Sequence, residues 1–502
     1  MARICVTIGR GRHRSLLEEW KAAADAGAEL CELRIDCLRR EPELKRILAA
    51  RYTPIVFTVR RTADGGLWRG PEEKRQLLLR EAIAAGVEYV DLEADIAAGI
   101  RRFGKTKRIV SHHDFKKIPD DLEDRARGMV DLDPDVVKVA AMAHSIPDAA
   151  RMLDLVYEST VPTIGLAMGP RGLFTRVLGA KYGSPFTYAG FNPDRTFAPG
   201  MPRFEELRDD YHYERIDEDT ELFAVVGDPI GHSLSPALHN NAFRHLKLNK
   251  VMVPLAIPNG TLKESLAALS YLKLRGISVT IPHKEAVIPL LHRSDKAVEM
   301  TGACNTVVVD PEGHWNGHNT DYRAAIASLE DALGGGLPGG ASPLLDKQAL
   351  ILGAGGVARA IAFGLSRRGA GVTLTNRNDD RAAKLAEQVG CRSVNWTMRA
   401  GTLCDILVNC TPVGMHPEVD ESPVPAAAFK PGMLAFDTIY HPENTLFLKL
   451  AREHDCHTVT GVDMFVRQAA IQFEYYTGQE PPVDVMREVV RQKLSPLRHA
   501  AK

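Results

Sequence analysis

Lys138 stands inside VVKVAAM, a run that is otherwise apolar from Val136 to Met142. A lysine in such surroundings is costly unless partnered. Desolvation favours an uncharged amine, and an uncharged amine can attack a carbonyl to form an imine. A protonated imine draws electrons from the neighbouring carbon, so a base beside it can take a proton there. His113, in the run SHHD, is the candidate base, with Glu93 to orient it. Glu32, Arg34, Arg60 and Asp114 stand at or near the ends of neighbouring apolar runs. His112 and His113 as joint metal ligands rank low, because adjacent residues of a strand face opposite ways. His112 is read as structural.

A second constellation lies far downstream. Lys284 sits in GISVTIPHKEA, where a strand is expected to turn into a helix. A lysine at a helix start is ordinarily solvated and says little alone. Together with GACNT (Gly302–Thr306) and HNTDY (His318–Tyr322) it gains meaning, since Thr280, Asn305 and Asp321 add polar groups at neighbouring strand ends. Upstream, GDPIGHSLSP places Ser235 before Pro236, a hydroxyl cap followed by proline at the first helical position. A helix N-terminus carrying Ser233 and Ser235 suits a carboxylate. Capping explains Ser235 well and Ser233 poorly.

The third is QALILGAGGVARA, in which Gly353, Gly355 and Ala358 keep the G-x-G-x-x-G/A spacing between a strand and a helix. That context suits a dinucleotide, with a tight turn, close approach of backbone to pyrophosphate and a helix N-terminus facing it. Ala354, Gly356 and Val357 complete the turn. The next strand, Gly371–Thr375, ends in Asn376–Arg377, with Arg381 a turn later. Two arginines stand where an acid would bind a ribose hydroxyl, which favours a 2′-phosphate and hence NADP.

The elements that must hold these residues follow a pattern. Strand-like runs recur at Arg3–Ile8, Glu29–Asp36, Pro54–Arg60, Tyr89–Asp95, Lys107–Asp114, Val136–Met142, Pro162–Met168 and Thr187–Phe191. Amphipathic stretches such as Leu16–Ala26, Glu72–Ala85 and Pro147–Tyr157 lie between them. Eight strands alternating with helices predict an α/β fold, a (β/α)8 barrel with a doubly wound open sheet as the alternative. In a barrel the ionisable strand ends share one face. The charged stretch Arg203–Glu221 reads as a solvated connector, and GGGLPGGAS at Gly334–Ser342 as a flexible linker.

At 502 residues the chain exceeds a single core. A net charge of −1 argues against a general nucleic-acid or anionic-membrane binder. No apolar run reaches the ~20 residues of a membrane span. Eight cysteines without a CxxC pair predict reduced thiols. MARICVTIGR reads as running directly into a strand, so the expectation is a cytoplasmic chain without a targeting segment.

The N-terminal motifs CELRID, FTVR, VDLEAD, SHHDF, VVKVA, MGPRGLFTR and FAPG, in this order, resemble type I 3-dehydroquinate dehydratase. The resemblance implies Lys138 as the Schiff-base lysine, His113 as acid–base and Glu93 as its orienting carboxylate. It also implies Glu32, Arg34, Arg60 and Arg176 as substrate contacts, the last for a carboxylate. The family's lid offers a Ser and a Gln where this chain has Phe197 and Met201, so looser substrate binding is expected. From residue 222 to 495 the motifs HSLSP, VTIPHK, GACNT, NTD, GAGGVAR, NCTPVGM, DTIYHP and DMFVRQA resemble shikimate dehydrogenase. That resemblance implies Lys284 and Asp321 as the catalytic pair, with Ser233, Ser235, Thr280, Asn305 and Gln468 as substrate contacts. Thr411 and Gly461 join the cofactor-binding set. Ser278 and Ala324 replace a common asparagine and glycine.

The expected organisation is a dehydratase barrel over 1–205 and a linker over 206–221. A shikimate-binding domain over 222–333 and 462–495 and a Rossmann NADP domain over 345–461 follow. The implied function is dehydration of 3-dehydroquinate to 3-dehydroshikimate and reduction of that product to shikimate with NADPH. Quinate dehydrogenation in the second half, or a ligand-sensing regulator on the same folds, are the alternatives. Retention of Lys138, His113, Lys284 and Asp321 argues against the regulator.

Overall fold

The computed structural model describes residues 3–231, 233–335 and 341–495. The flexible run expected over Gly334–Ser342 falls largely on 336–340, outside the described residues. The chain divides into two compact units, Met1–Leu274 and Arg275–Lys502.

In the first unit, β1 (Arg3–Ile8), β2 (Leu30–Arg34), β3 (Ile55–Thr58), β4 (Tyr89–Glu93), β5 (Lys107–Asp114), β6 (Val136–Met142), β7 (Thr163–Met168) and β8 (Phe186–Gly190) pair in parallel. The order β7-β6-β5-β4-β3-β2-β1-β8 is that of a (β/α)8 barrel with its seam between β7 and β8. The strands other than β5 are buried over most of their length, because helices such as His13–Asp25, Glu72–Ala84 and Ile146–Glu158 cover the outer face, and β5 is buried from Arg108 to Ser111. Inward residues fill the interior, among them Cys5, Val56, Tyr89, Ile109, Leu166, Phe186 and Tyr188.

The stretch expected to be a solvated connector is instead packed. Phe204, Leu207 and Tyr211 recur at a helical spacing and are buried, as are Tyr213 and Ile216. Arg208 donates to the carbonyl of Ala26 in the barrel at 2.7 Å. Asn241, in the helix Ser235–His245, donates to the carbonyl of Asp209 at 3.2 Å. The surrounding charges hid a one-sided apolar stripe from the sequence reading. After it come β9 (Glu221–Gly227) and β10 (Lys250–Ala256), paired in parallel.

The second unit opens with β11 (Gly276–Val279), β12 (Arg293–Ser294), β13 (Thr306–Val309) and β14 (Trp315–His318). β13 lies antiparallel between β11 and β14. The helix expected from Lys284 is a series of turns ending in a single 3₁₀ turn at Ile288–Leu290. A six-stranded parallel sheet follows: β15 (Gln348–Leu352), β16 (Gly371–Thr375), β17 (Arg392–Ser393), β18 (Ile406–Asn409), β19 (Leu434–Asp437) and β20 (His457–Val459). Its order, β17-β16-β15-β18-β19-β20, is the doubly wound arrangement with the switch point at the end of β15. Ala324 lies fully buried in the apolar core packed on that sheet, which is why the methyl is accommodated there. Among the described residues no helix is long and apolar enough to cross a membrane.

Candidate active sites

The C-terminal ends of the barrel strands surround a cavity lined by Glu32, Arg60, His113, Lys138, Arg176 and Tyr188, with Arg34 at its side. Lys138 is 5% exposed, and its Nζ donates to Asp91 at 3.0 Å and stands 3.9 Å from Glu32. Glu32 accepts the hydroxyls of Thr7 and Thr58, each at 2.9 Å. Arg60 pairs with Asp91 at 2.7 Å and with Glu93 at 2.8 Å. Burial would raise the Asp91 carboxyl, but the charges of Arg60 and Lys138 outweigh it and hold the group well below its usual range.

His113 is half-buried facing this cluster, and desolvation first, then Arg60 and Lys138, hold its imidazole well below the usual histidine range. A neutral imidazole can act as a base. His112 faces the other way, toward Arg125 and Asp121, as the strand alternation requires. Glu93 departs from its expected role. Its two oxygens accept from Arg60 at 2.8 Å and Arg75 at 2.7 Å, so it anchors the arginine rather than the histidine.

Two carboxylates escaped the sequence reading. Asp91 alternates with Glu93 on β4 and so shares its inward face, a period-two signal that was available in VDLEAD. Asp64 lines the cavity with His113, four residues after Arg60 and paired with Arg61. Its loop position gave no periodic signal.

Arg176, in the helix Leu173–Leu178, is 1% exposed, and none of its three guanidinium nitrogens has a hydrogen-bond partner among the described residues. Burial alone pulls its pKa down to about 10. A fork so held, open to a cavity, has the geometry to accept a carboxylate. Arg34 is different, since Asp36 holds it bidentately at 2.9 and 2.8 Å.

The lid residues have apolar work. The ring of Phe197 lies over the Arg34 guanidinium, 5.3 Å from centroid to Cζ. A Cβ on Gly9 would meet that ring at 2.6 Å and the Cys37 sulfur at 2.8 Å. Met201 lines the cavity and packs on the barrel's interior cluster. The lid that lacks the family's Ser and Gln is packed through these apolar contacts. Arg195 donates to the Gly9 carbonyl at 2.7 Å, and Gly169 donates to the Pro199 carbonyl at 3.0 Å, pinning it further.

Also in the first unit, Ser233 and Ser235 lie on the turn after β9. Ser235 begins its helix but makes no side-chain cap, contrary to expectation; the Ser233 hydroxyl instead accepts the Ser235 N–H at 3.3 Å.

In the second unit the NTD motif divides three tasks. Asn319 caps the helix Thr320–Ala332, accepting from the Tyr322 N–H at 3.0 Å. Thr320 donates its N–H to the Asn305 side chain at 2.8 Å. Asp321 accepts the Lys284 ammonium at 2.6 Å. The Lys284 carbonyl takes the Cys304 N–H at 2.8 Å, tying that turn to GACNT. Gln468 reaches Asn305 and Thr320 at 3.5 and 3.4 Å. Thr280 follows the end of β11, where its carbonyl accepts the His283 N–H. Ser278 exchanges hydrogen bonds with Gln472, so the residue that replaces asparagine is held in a buried network.

Gly353 adopts φ 117°, and a Cβ there would meet the Cys410 carbonyl at 2.8 Å, so only glycine fits. Gly355 precedes the helix Gly356–Arg367 without a side-chain cap, and a Cβ on Gly355 or Gly356 would project into open space. Uncapped N–H groups at a helix start suit a phosphate. Ala354 and Val357 flank it and Ala358 is fully buried beneath it. Thr411 sits on the neighbouring turn, its N–H and hydroxyl on Asn409 Oδ1. Gly461 opens the helix Gly461–Thr477, and a Cβ there would collide with the Ile439 carbonyl at 2.1 Å. Asn376 and Arg377 stand just after the end of β16 and Arg381 in the first turn of the helix Asp379–Val389, both arginines exposed. Asp379 nearby is turned to Asn395 and Trp396.

The family model of type I 3-dehydroquinase matches residues 4–218. That of the shikimate dehydrogenase substrate binding domain matches 225–307, and its C-terminal domain 461–491. Between them, 348–430 match an NADP oxidoreductase, coenzyme F420-dependent, model. The chain is 36% identical to the chloroplastic bifunctional 3-dehydroquinate dehydratase/shikimate dehydrogenase of Arabidopsis thaliana, over 97% of this chain and 84% of that one. It belongs to that bifunctional family. A shikimate dehydrogenase (NADP(+)) of Moorella thermoacetica is 40% identical over 56% of this chain and 96% of its own. A solved shikimate dehydrogenase in complex with NADP+ superposes with a TM-score of 0.52 at 32% identity, covering 56% of this chain and 98% of that one. The shikimate dehydrogenase of Aquifex aeolicus gives 0.50 at 34%, covering 55% and 99%. As a member of the family the chain is a shikimate-pathway enzyme, both lyase and oxidoreductase.

Proposed function

We propose that dehydration runs through an imine on Lys138 and that reduction uses NADPH with Lys284 and Asp321 as the proton-transfer pair. The observation that carries the first half is a buried lysine and an unpartnered buried guanidinium opening onto one cavity. Arg176 takes the carboxylate of 3-dehydroquinate, and the Lys138 amine attacks its ketone, releasing water as the imine forms. His113 removes a proton from the carbon next to the imine. The electrons move toward the nitrogen and return to expel the hydroxyl from the following carbon. That hydroxyl leaves as water with a proton from His113, and hydrolysis frees Lys138 and 3-dehydroshikimate. Asp91 and Glu32 balance the positive charge carried by the lysine nitrogen.

In the second unit, Thr280, Asn305 and Gln468 hold the substrate's hydroxyls. Lys284, held by Asp321, gives a proton to the ketone oxygen as it becomes an alcohol. The turn from Gly353 to Ala358, Thr411 and Gly461 suit the dinucleotide, and Asn376, Arg377 and Arg381 its 2′-phosphate. Bound there, NADPH supplies the hydride. The substrates are small molecules, with no nucleic-acid partner, and eight free thiols accord with a cytoplasmic setting.

Borohydride added with 3-dehydroquinate should trap an adduct on Lys138, read by mass spectrometry. Lys138→Ala should lose dehydration and trapping together while still reducing 3-dehydroshikimate with NADPH. Asp91 keeps Arg60 in that variant, so no carboxylate is stranded. Dehydration that survives Lys138→Ala would overturn the imine.

A further inference from the structure

Beneath the Lys138 nitrogen lies a residue to which neither the family motifs nor the reaction above give a part. The Tyr188 ring, from β8, presents its face to Nζ with the nitrogen 4.1 Å from the ring centroid. Tyr188 is 1% exposed, and its hydroxyl has no hydrogen-bond partner among the described residues. The ring is braced edge-on by Phe186 at 5.6 Å, and Phe186 in turn by Tyr89 at 5.5 Å. We propose that Tyr188 is a catalytic residue of the dehydratase, its ring face stabilising the positive charge on the Lys138 nitrogen once the imine has formed. The proposal rests on the imine reading.

The argument turns on counting protons. The lysine ammonium carries three N–H groups, and one reaches Asp91 at 3.0 Å. A protonated imine on the same nitrogen carries one. Hydrogen bonding can then serve the charge once, through Asp91, while the remaining faces of the C=N unit have nothing to donate. An aromatic face needs no proton from the cation it stabilises, so its attraction persists through this change. The charge matters because a neutral imine is a poor electron sink. The Tyr188 hydroxyl is not the useful part. Burial pushes it well above the ordinary phenol range, so it stays protonated and out of acid–base work.

The groups facing the nitrogen are Cys5, Glu32, Asp91, His113 and Tyr188 from five strands, and Arg60 from just beyond the end of β3. Asp91 and Glu32 supply negative charge but Arg60 already claims Asp91, which leaves the ring as the contact given to Lys138 alone. A role in packing alone predicts something else: an aliphatic side chain of similar size would serve, and a buried hydroxyl without a partner would be a liability.

The test compares Tyr188→Phe, Tyr188→Leu and pentafluorophenylalanine introduced at position 188, which keeps the ring's shape and inverts the charge of its face. Wild type and Tyr188→Phe should form the borohydride adduct with 3-dehydroquinate equally. Leucine and the fluorinated ring should each cut the trapped fraction about tenfold and move the basic limb of kcat for dehydration about one pH unit lower. Reduction of 3-dehydroshikimate should be unchanged in all. The fluorinated ring preserves the packing, so a misfolded leucine variant would not spoil the comparison. Equal trapping and equal pH profiles in phenylalanine and fluorinated variants would overturn the role of the ring. No adduct in the wild type would overturn the imine reading instead.

Discussion

At the scale of single residues, the barrel site is a set of charges that shift one another. His113 is kept neutral by desolvation and by the cations Arg60 and Lys138. A base whose pKa is depressed takes up its proton only when the pH falls below the usual value of about 6.5. The expected outcome is a dehydration kcat/KM without an acid limb at 6.5 from this group, its limb lying lower; a limb centred at 6.5 would place the base elsewhere. Arg377 allows a second test. It is exposed just after the end of β16. A charge-assisted bond to phosphate is worth ~1.5–3 kcal/mol, so Arg377→Ala should weaken NADPH at least about tenfold and leave NADH nearly untouched, as titration of each cofactor will show. Equal losses would make the arginine structural. The residues themselves were readable because lysine, arginine and histidine inside apolar runs are conspicuous. Their partners were less so: Glu93 was given to His113, and only the structure shows both its oxygens on arginines.

At the scale of elements, the strands were legible because period-two burial and β-branched runs are local properties. Lys107–Asp114 and Val136–Met142 have the same bounds in sequence and structure. The lid was not, because its partners lie about 160 to 190 residues away in the chain. Phe197 reads as a missing hydrogen bond until Gly9 and Arg34 are seen beneath it. This reverses the expectation for Met201. A glutamine there would bury an amide against the interior cluster, which costs unless each polar group finds a partner. Met201→Gln should therefore leave KM for 3-dehydroquinate unchanged or raise it. Gly9→Ala should act more strongly, because its methyl would collide with the Phe197 ring and the Cys37 sulfur. A rise in KM of about tenfold or more, with reduction of 3-dehydroshikimate intact, is expected. A KM that falls in Met201→Gln, or stays put in Gly9→Ala, would show that the lid is not held by these contacts.

At the scale of the whole molecule, the sequence shows two chemistries in tandem but misjudges what joins them. Residues around Phe204, Leu207, Tyr211 and Tyr213 are core, not tether, because an apolar stripe of four side chains outweighs the charges around it. The family model for the dehydratase accordingly runs on to residue 218. In the proposed mechanism the two reactions use separate reactive groups, Lys138 with Asp91 and Lys284 with Asp321. Separate groups predict complementation. Lys138→Ala should reduce but not dehydrate, and Lys284→Ala should dehydrate but scarcely reduce. Neither alone should carry 3-dehydroquinate to shikimate, whereas an equimolar mixture with NADPH should do so, read as loss of nicotinamide absorbance after a lag while 3-dehydroshikimate accumulates in solution. The lag should shorten as the concentration of the Lys284→Ala partner rises, because free intermediate then builds up faster. A mixture that stays silent while each variant keeps its remaining activity would mean that the second site accepts the intermediate only from the barrel of its own chain.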